Sequence, residues 1–137
     1  MEFNDFLDLF ISSWKDSSIE EMEQMISKKY AGREIRGEGI EDFGYDESII
    51  GWAKGFEYVR ENNAEWEIQL LNSYPLRSNE YMAVIAATIK IDGKTVSPYN
   101  LFYDTFRKEQ EWKNVRSYIE TGITEEYLKG VIEGANK

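Results

Sequence analysis

The chain has 137 residues, 42% hydrophobic and 15% aromatic, and a formal net charge of −10 from 16 basic and 26 acidic side chains. That describes one domain with enough apolar material for a core, and the acidity argues against nucleic acid and anionic membranes as partners, since phosphate binding needs a basic patch. With no cysteine and no histidine, disulfides, thiolate chemistry and Ser-His or Cys-His dyads are excluded, and any metal site would have to be built from oxygen ligands alone.

The first residues, MEFNDFLDLF, are acidic and lack a basic leader, so no secretory signal is expected. No apolar run approaches the ~20 residues of a membrane span, and a cytoplasmic location is the expectation. Phe3, Phe6, Leu7, Phe10, Ile11 and Trp14 recur at helical spacing and predict a first helix with one wide apolar stripe. Ser17 or Ser18, each with a glutamate three residues later, predicts the start of a second, shorter helix whose apolar side is Ile19, Met22, Met25 and Ile26. Tyr30 to Arg36 reads as a short strand. The following GEGIEDFGYD reads as an irregular acidic loop; its spacing fits neither a phosphate loop nor a calcium loop. Asp46 is the expected cap of a third helix, with Ile49, Ala53, Phe56 and Val59 on its apolar side. Gly51 and Gly55 in that helix suggest close packing on a sheet.

From Trp66 to Tyr118 the sequence predicts three or four long antiparallel strands. Trp66, Ile68 and Leu70 alternate with polar residues, which makes one face buried. The stretch from Tyr81 to Ile91 is apolar on both faces and must be covered on both; a second subunit is the simple cover for the side that the helices leave. Asp92-Gly93 is a strong hairpin turn. Phe102, Asp104 and Phe106 share a face of the next strand, and Glu109-Gln110-Glu111 turns the chain. In the last strand Lys113, Val115, Ser117 and Ile119 are expected on one face, with Trp112, Asn114, Arg116 and Tyr118 opposite. Thr124 caps a C-terminal helix. Residues 1–137 thus form a single domain with its core in about 1–120 and a helix or tail over 123–137.

The stretches FLDLFISSWKDSSIEEMEQMI, GYDESIIGW and YDTFRKEQEWKNVRSYIE, in this element order, resemble the nuclear transport factor 2-like superfamily and, within it, the SnoaL-like proteins of bacteria. The resemblance implies an α+β fold, in which N-terminal helices pack on a strongly curved antiparallel sheet forming a cone-like barrel. It also implies a pocket between the concave face and the helices, and a homodimer formed through the sheet. Isomerase-like members of the family place a tyrosine and two carboxylates in the pocket; the first helix here offers Trp14 and no tyrosine. Cyclase-like members place a histidine and an aspartate on the last two strands. This chain has no histidine, and Ser117 stands at about the place of that aspartate.

Asp104, between Phe102 and Phe106, is the candidate catalytic residue, because desolvation on an apolar concave face would raise its pKa and fit it for acid/base work. A structural aspartate paired with Arg107, Arg116 or Lys113, or a solvent-facing one, is the alternative. Glu34 and Tyr45 are weaker partners. Trp14, Tyr45, Trp52, Phe56, Phe102, Phe106 and Ser117 are the expected pocket lining, and core packing accounts for the aromatics among them equally well. No cofactor and no metal is expected. Three readings follow: binding of a small apolar molecule in the cone; a cofactor-independent isomerase, cyclase or dehydratase working through Asp104; or a dimeric assembly module with no ligand.

Overall fold

The structure, a computed structural model, describes residues 1–135. Helix α1 (Phe3–Lys15) buries Phe3, Phe6, Leu7, Phe10 and Trp14, as its stripe predicts. Helix α2 (Ile19–Gln24) starts at Ser18, whose hydroxyl accepts the Glu21 N–H. Strand β1 (Ile26–Arg36) begins already at Ile26, which therefore belongs to the sheet and not to the second helix. The expected loop after it contains a strand, β2 (Gly39–Phe43), which pairs back on β1 in antiparallel register. Gly37, at a φ of 56°, makes the turn between them.

Helix α3 (Tyr45–Glu61) is capped two residues earlier than expected. Gly44 is its N-cap, the Glu47 carboxylate accepts the Gly44 N–H at 3.2 Å, and Asp46 lies inside the first turn. Strands β3 (Glu65–Arg77), β4 (Glu80–Ile91), β5 (Lys94–Lys108) and β6 (Trp112–Ile123) follow, then helix α4 (Glu125–Ala135). Asp92 and Gly93, both at positive φ, form the two-residue turn that joins β4 to β5.

The six strands run in the order β2-β1-β6-β5-β4-β3. The sheet is mixed rather than wholly antiparallel, because β1 lies parallel to β6. It is curved but open, with β2 and β3 as its edges. Register shifts interrupt the pairing of β3 with β4, β4 with β5, β5 with β6 and β1 with β6. Each extra residue bends its strand and adds twist, which is how a sheet this long wraps around a helix.

One bulge changes which side chains face inward. Thr105 pairs with Arg116 and Phe106 with Asn114, leaving Val115 as the extra residue. The strict alternation expected for β6 therefore fails: Trp112 and Asn114 turn to the same side as Ser117 and Ile119. The buried Asn114 amide holds the bulge, donating to the Thr105 and Arg116 carbonyls at 3.0 and 3.1 Å.

Helix α1 fills the concave side. Phe106, with no exposed surface, lies 5.1 to 5.7 Å, centroid to centroid, from the rings of Phe3, Phe6 and Phe10. The outer side of β4 and β5 is covered within the chain. Leu128, Val131 and Ile132 of α4 pack on Val84, Ala86, Tyr99 and Leu101, so over this half of the outer face no second subunit is needed to keep the strands dry. Farther along the same face, three guanidiniums, Arg77, Arg107 and Arg116, converge on the buried Glu80 carboxylate. Burial pushes that carboxyl up, but the guanidiniums outweigh it and hold it below the usual glutamate value.

Candidate functional site

Between the concave face and α3 lies a cavity of about 540 Å³. Its walls come from α1 (Trp14), α3 (Trp52), β3 (Trp66) and β5 (Phe102), with Tyr30 and Ser117 from the paired strands β1 and β6. The aromatic part is a connected cluster. The Trp52 and Phe102 rings stand nearly perpendicular to Trp14, at 4.8 and 4.9 Å, the edge-to-face arrangement favoured by ring quadrupoles. Trp14 Nε1 is the one buried side-chain nitrogen or oxygen among the described residues with no hydrogen-bond partner.

Four residues expected in the lining, Trp14, Trp52, Phe102 and Ser117, are on the wall. Three are elsewhere. Phe56 and Phe106 are fully buried behind it in the core. Phe56 packs on Trp52 and Trp66, and Phe106 packs under α1. Tyr45, at the start of α3, accepts a hydrogen bond from the Lys28 ammonium at 3.0 Å, outside the wall. Gly51 and Gly55 do border the cavity, but neither marks a tight approach. A Cβ on Gly51 would meet nothing within 4 Å, and one on Gly55 would make ordinary contact with Trp66 at 3.7 Å.

Asp104 lies one layer behind the wall and is 1% exposed. It pairs with none of the cations proposed for it: Arg107 and Arg116 are both on the other face with Glu80, and Lys113 donates to the Gln24 carbonyl. The Ser117 hydroxyl donates to its carboxylate at 2.6 Å. Burial pushes the Asp104 carboxyl up to about 7, and the Ser117 hydrogen bond only partly opposes this. Tyr30, 6% exposed, completes the polar seam between β1 and β6. Its phenol is raised above the ordinary range by burial and by the nearby Asp104 carboxylate, while the Ser117 and Ser48 hydroxyls beside it pull the other way. It stays protonated at any ordinary pH. The sequence did signal Tyr30: it alternates with Gly32 and Glu34, which the register places on the same inward face as Ser117 and Ile119.

No protein-family model matches the sequence, and no curated protein matches it either. Solved structures do match in shape. The fold is that of the nuclear transport factor 2-like proteins. An NTF-2 like protein of unknown function from Shewanella oneidensis MR-1 is 16% identical, with a TM-score of 0.65 over 88% of this chain and 99% of that one. A domain of unknown function with a cystatin-like fold from Nostoc punctiforme is 15% identical, with a TM-score of 0.67 over 97% and 83%. A ketosteroid isomerase-like protein from Erwinia carotovora atroseptica is 13% identical, with a TM-score of 0.55 over 81% and 86%. Among the described residues no helix is long and apolar enough to cross a membrane.

Proposed function

We propose that this nuclear transport factor 2-like domain binds a small, largely apolar molecule in the cavity between its sheet and α3. The observation that carries this reading is the hollow itself: about 540 Å³ walled by Trp14, Trp52, Trp66 and Phe102. That volume falls in the range of small-molecule sites, roughly 300–1,000 Å³. An aromatic wall of this kind offers a large transfer free energy and ring-specific contacts. Titration with the neutral dye N-phenyl-1-naphthylamine, followed by fluorescence, tests it. The expected result is saturable binding of one dye per chain. Gly51→Trp should abolish that binding without loss of stability, because its side chain projects into open space and glycine in a helix costs about 1 kcal/mol. A wild-type protein that leaves the dye unbound sinks the reading, and binding that persists in the variant places the dye elsewhere.

A second reading, acid/base catalysis without a cofactor, is favoured by the chemistry of Asp104. A buried carboxyl with no counter-cation, pushed up to about 7, can hold or release a proton near neutral pH. It would act through Ser117 and Tyr30, which border the cavity. On this reading Asp104→Asn removes turnover and leaves ligand affinity within about three-fold. Turnover that survives the substitution excludes it.

A further inference from the structure

The cavity is apolar in its depth and acidic at one side, and the register shows how far apart the two regions are. Four charged side chains border it: Glu34, Arg36, Glu41 and Glu47. Arg36 Nε donates to the Glu34 carboxylate at 2.6 Å, which leaves the border two negative charges in excess. Glu34 and Glu41 are directly opposite each other across the β1–β2 pair. Like charges in that relation destabilise a hairpin, and here both side chains face the same hollow. Arg36 accounts for Glu34 and the Gly44 N–H for Glu47, which leaves Glu41 as the border carboxylate with no ion pair among the described residues; the neighbouring pair, Arg33 opposite Asp42, is a conventional salt bridge at 2.7 Å on the other face. Among the described residues no group of three or more acidic side chains is disposed to hold a metal ion.

One inward-facing row runs across the sheet from Glu41 to Glu34, then Ile119, then Phe102. Glu34 therefore stands two strands from Phe102, about 10 Å at ordinary strand spacing. Phe102 and Trp52 lie close to parallel, 18° apart, and present their rings to the apolar end.

We propose that the ligand of this cavity is an amine-bearing amphiphile, with a flat apolar body against Trp52 and Phe102 and a cationic nitrogen at Glu34 and Glu41. The inference rests on the binding reading above and adds the sign of the ligand's charge and its position. A cation offsets the two negative charges that the border carries in excess, and the field of a chain carrying −10 raises its local concentration in the cleft. An anion of the same shape meets the opposite of each effect.

The test uses three matched probes: 3-(2-naphthyl)propylamine, 3-(2-naphthyl)propan-1-ol and 3-(2-naphthyl)propanoic acid, titrated calorimetrically at pH 7.5 in low and high salt. The amine is expected to bind about ten-fold more tightly than the alcohol at low salt, with the acid weakest and the gap narrowing as salt rises. Glu41→Gln, at an exposed position, should reduce the amine's advantage while leaving alcohol affinity unchanged; Glu34→Gln with Glu41→Gln should erase it. If the alcohol binds as tightly as the amine, or if the double variant keeps the amine's advantage, this proposal falls and the apolar-cavity reading stands. If none of the three probes binds, both fall.

Discussion

Asp104→Asn is expected to stabilise the protein at about pH 8 and to flatten its pH dependence between about pH 4 and pH 8. The carboxyl has a folded-state pKa of about 7 against an ordinary 3.8, so the folded chain holds this proton more tightly than the unfolded one. Stability therefore falls as pH rises from about 4 through about 7, and the full cost is present above that window. A shift of that size corresponds to on the order of 4 kcal/mol. Asparagine keeps an oxygen to accept the Ser117 hydroxyl and carries no charge to desolvate. Its advantage should be a few kcal/mol at pH 8, smaller at pH 5 and absent near pH 4. Glu80 acts with the opposite sign and in a separate window, because its pKa is lowered from 4.5 and its contribution is lost only as pH falls below that range. Urea unfolding followed by tryptophan fluorescence, at pH 5, 6.5 and 8 on both proteins, reads the difference. Equal stabilities at pH 8 would mean that the carboxylate is solvated or paired with a cation, and the proton-holding role would be lost with its premise.

What could be read from the chain, and what could not, divides by range of interaction. The stripe from Phe3 to Trp14 and the Asp92-Gly93 turn are local signals, and the elements they predict are present. The apolar neighbours of Asp104, Phe102 and Phe106 two residues to either side, are a local signal too, but a carboxyl buried without a cation is not something they specify. Strand β2 was not legible, because Phe43 is its only half-buried residue and the remaining four are exposed; an edge strand with a wet face carries no alternation. The parallel pairing of β1 with β6 joins segments far apart in sequence and leaves no trace in either one. The bulge at Val115 defeats any period-two reading of β6, and with it the inward placement of Asn114. Ser117 falls on the pocket face by alternation, but its role as the hydroxyl donor to Asp104 depends on the β5–β6 register. The amphipathic pattern of α4 is visible in the sequence, whereas its docking on the outer side of β4 and β5 is not. Periodicity reports that a face is covered and is silent about what covers it.

Phe106→Ala is expected to cost about 3–5 kcal/mol, the usual range for removing a buried phenylalanine, and to leave the affinity of the folded molecules for a cavity ligand unchanged. Total stability of a domain is about 5–15 kcal/mol, so this one ring would carry a large share of it. The reason is its place in the fold. Phe106 has no exposed surface and is where Phe3, Phe6 and Phe10 of α1 meet the sheet, so its loss opens a void under the whole helix. Yet it stands behind the cavity wall and touches no part of the hollow. Trp52→Ala should behave in reverse. Trp52 is half-buried and borders the hollow, so its removal should weaken ligand binding more than it weakens the fold. Measuring urea midpoints and dye affinity on both variants separates the two roles. A loss below about 1 kcal/mol for Phe106→Ala would mean that α1 is not docked on this face of the sheet. Without α1 in place there is no Trp14 on the wall and the hollow loses that side. The stability of the core and the wall of the cavity are therefore one question, and Phe106 is the residue that asks it.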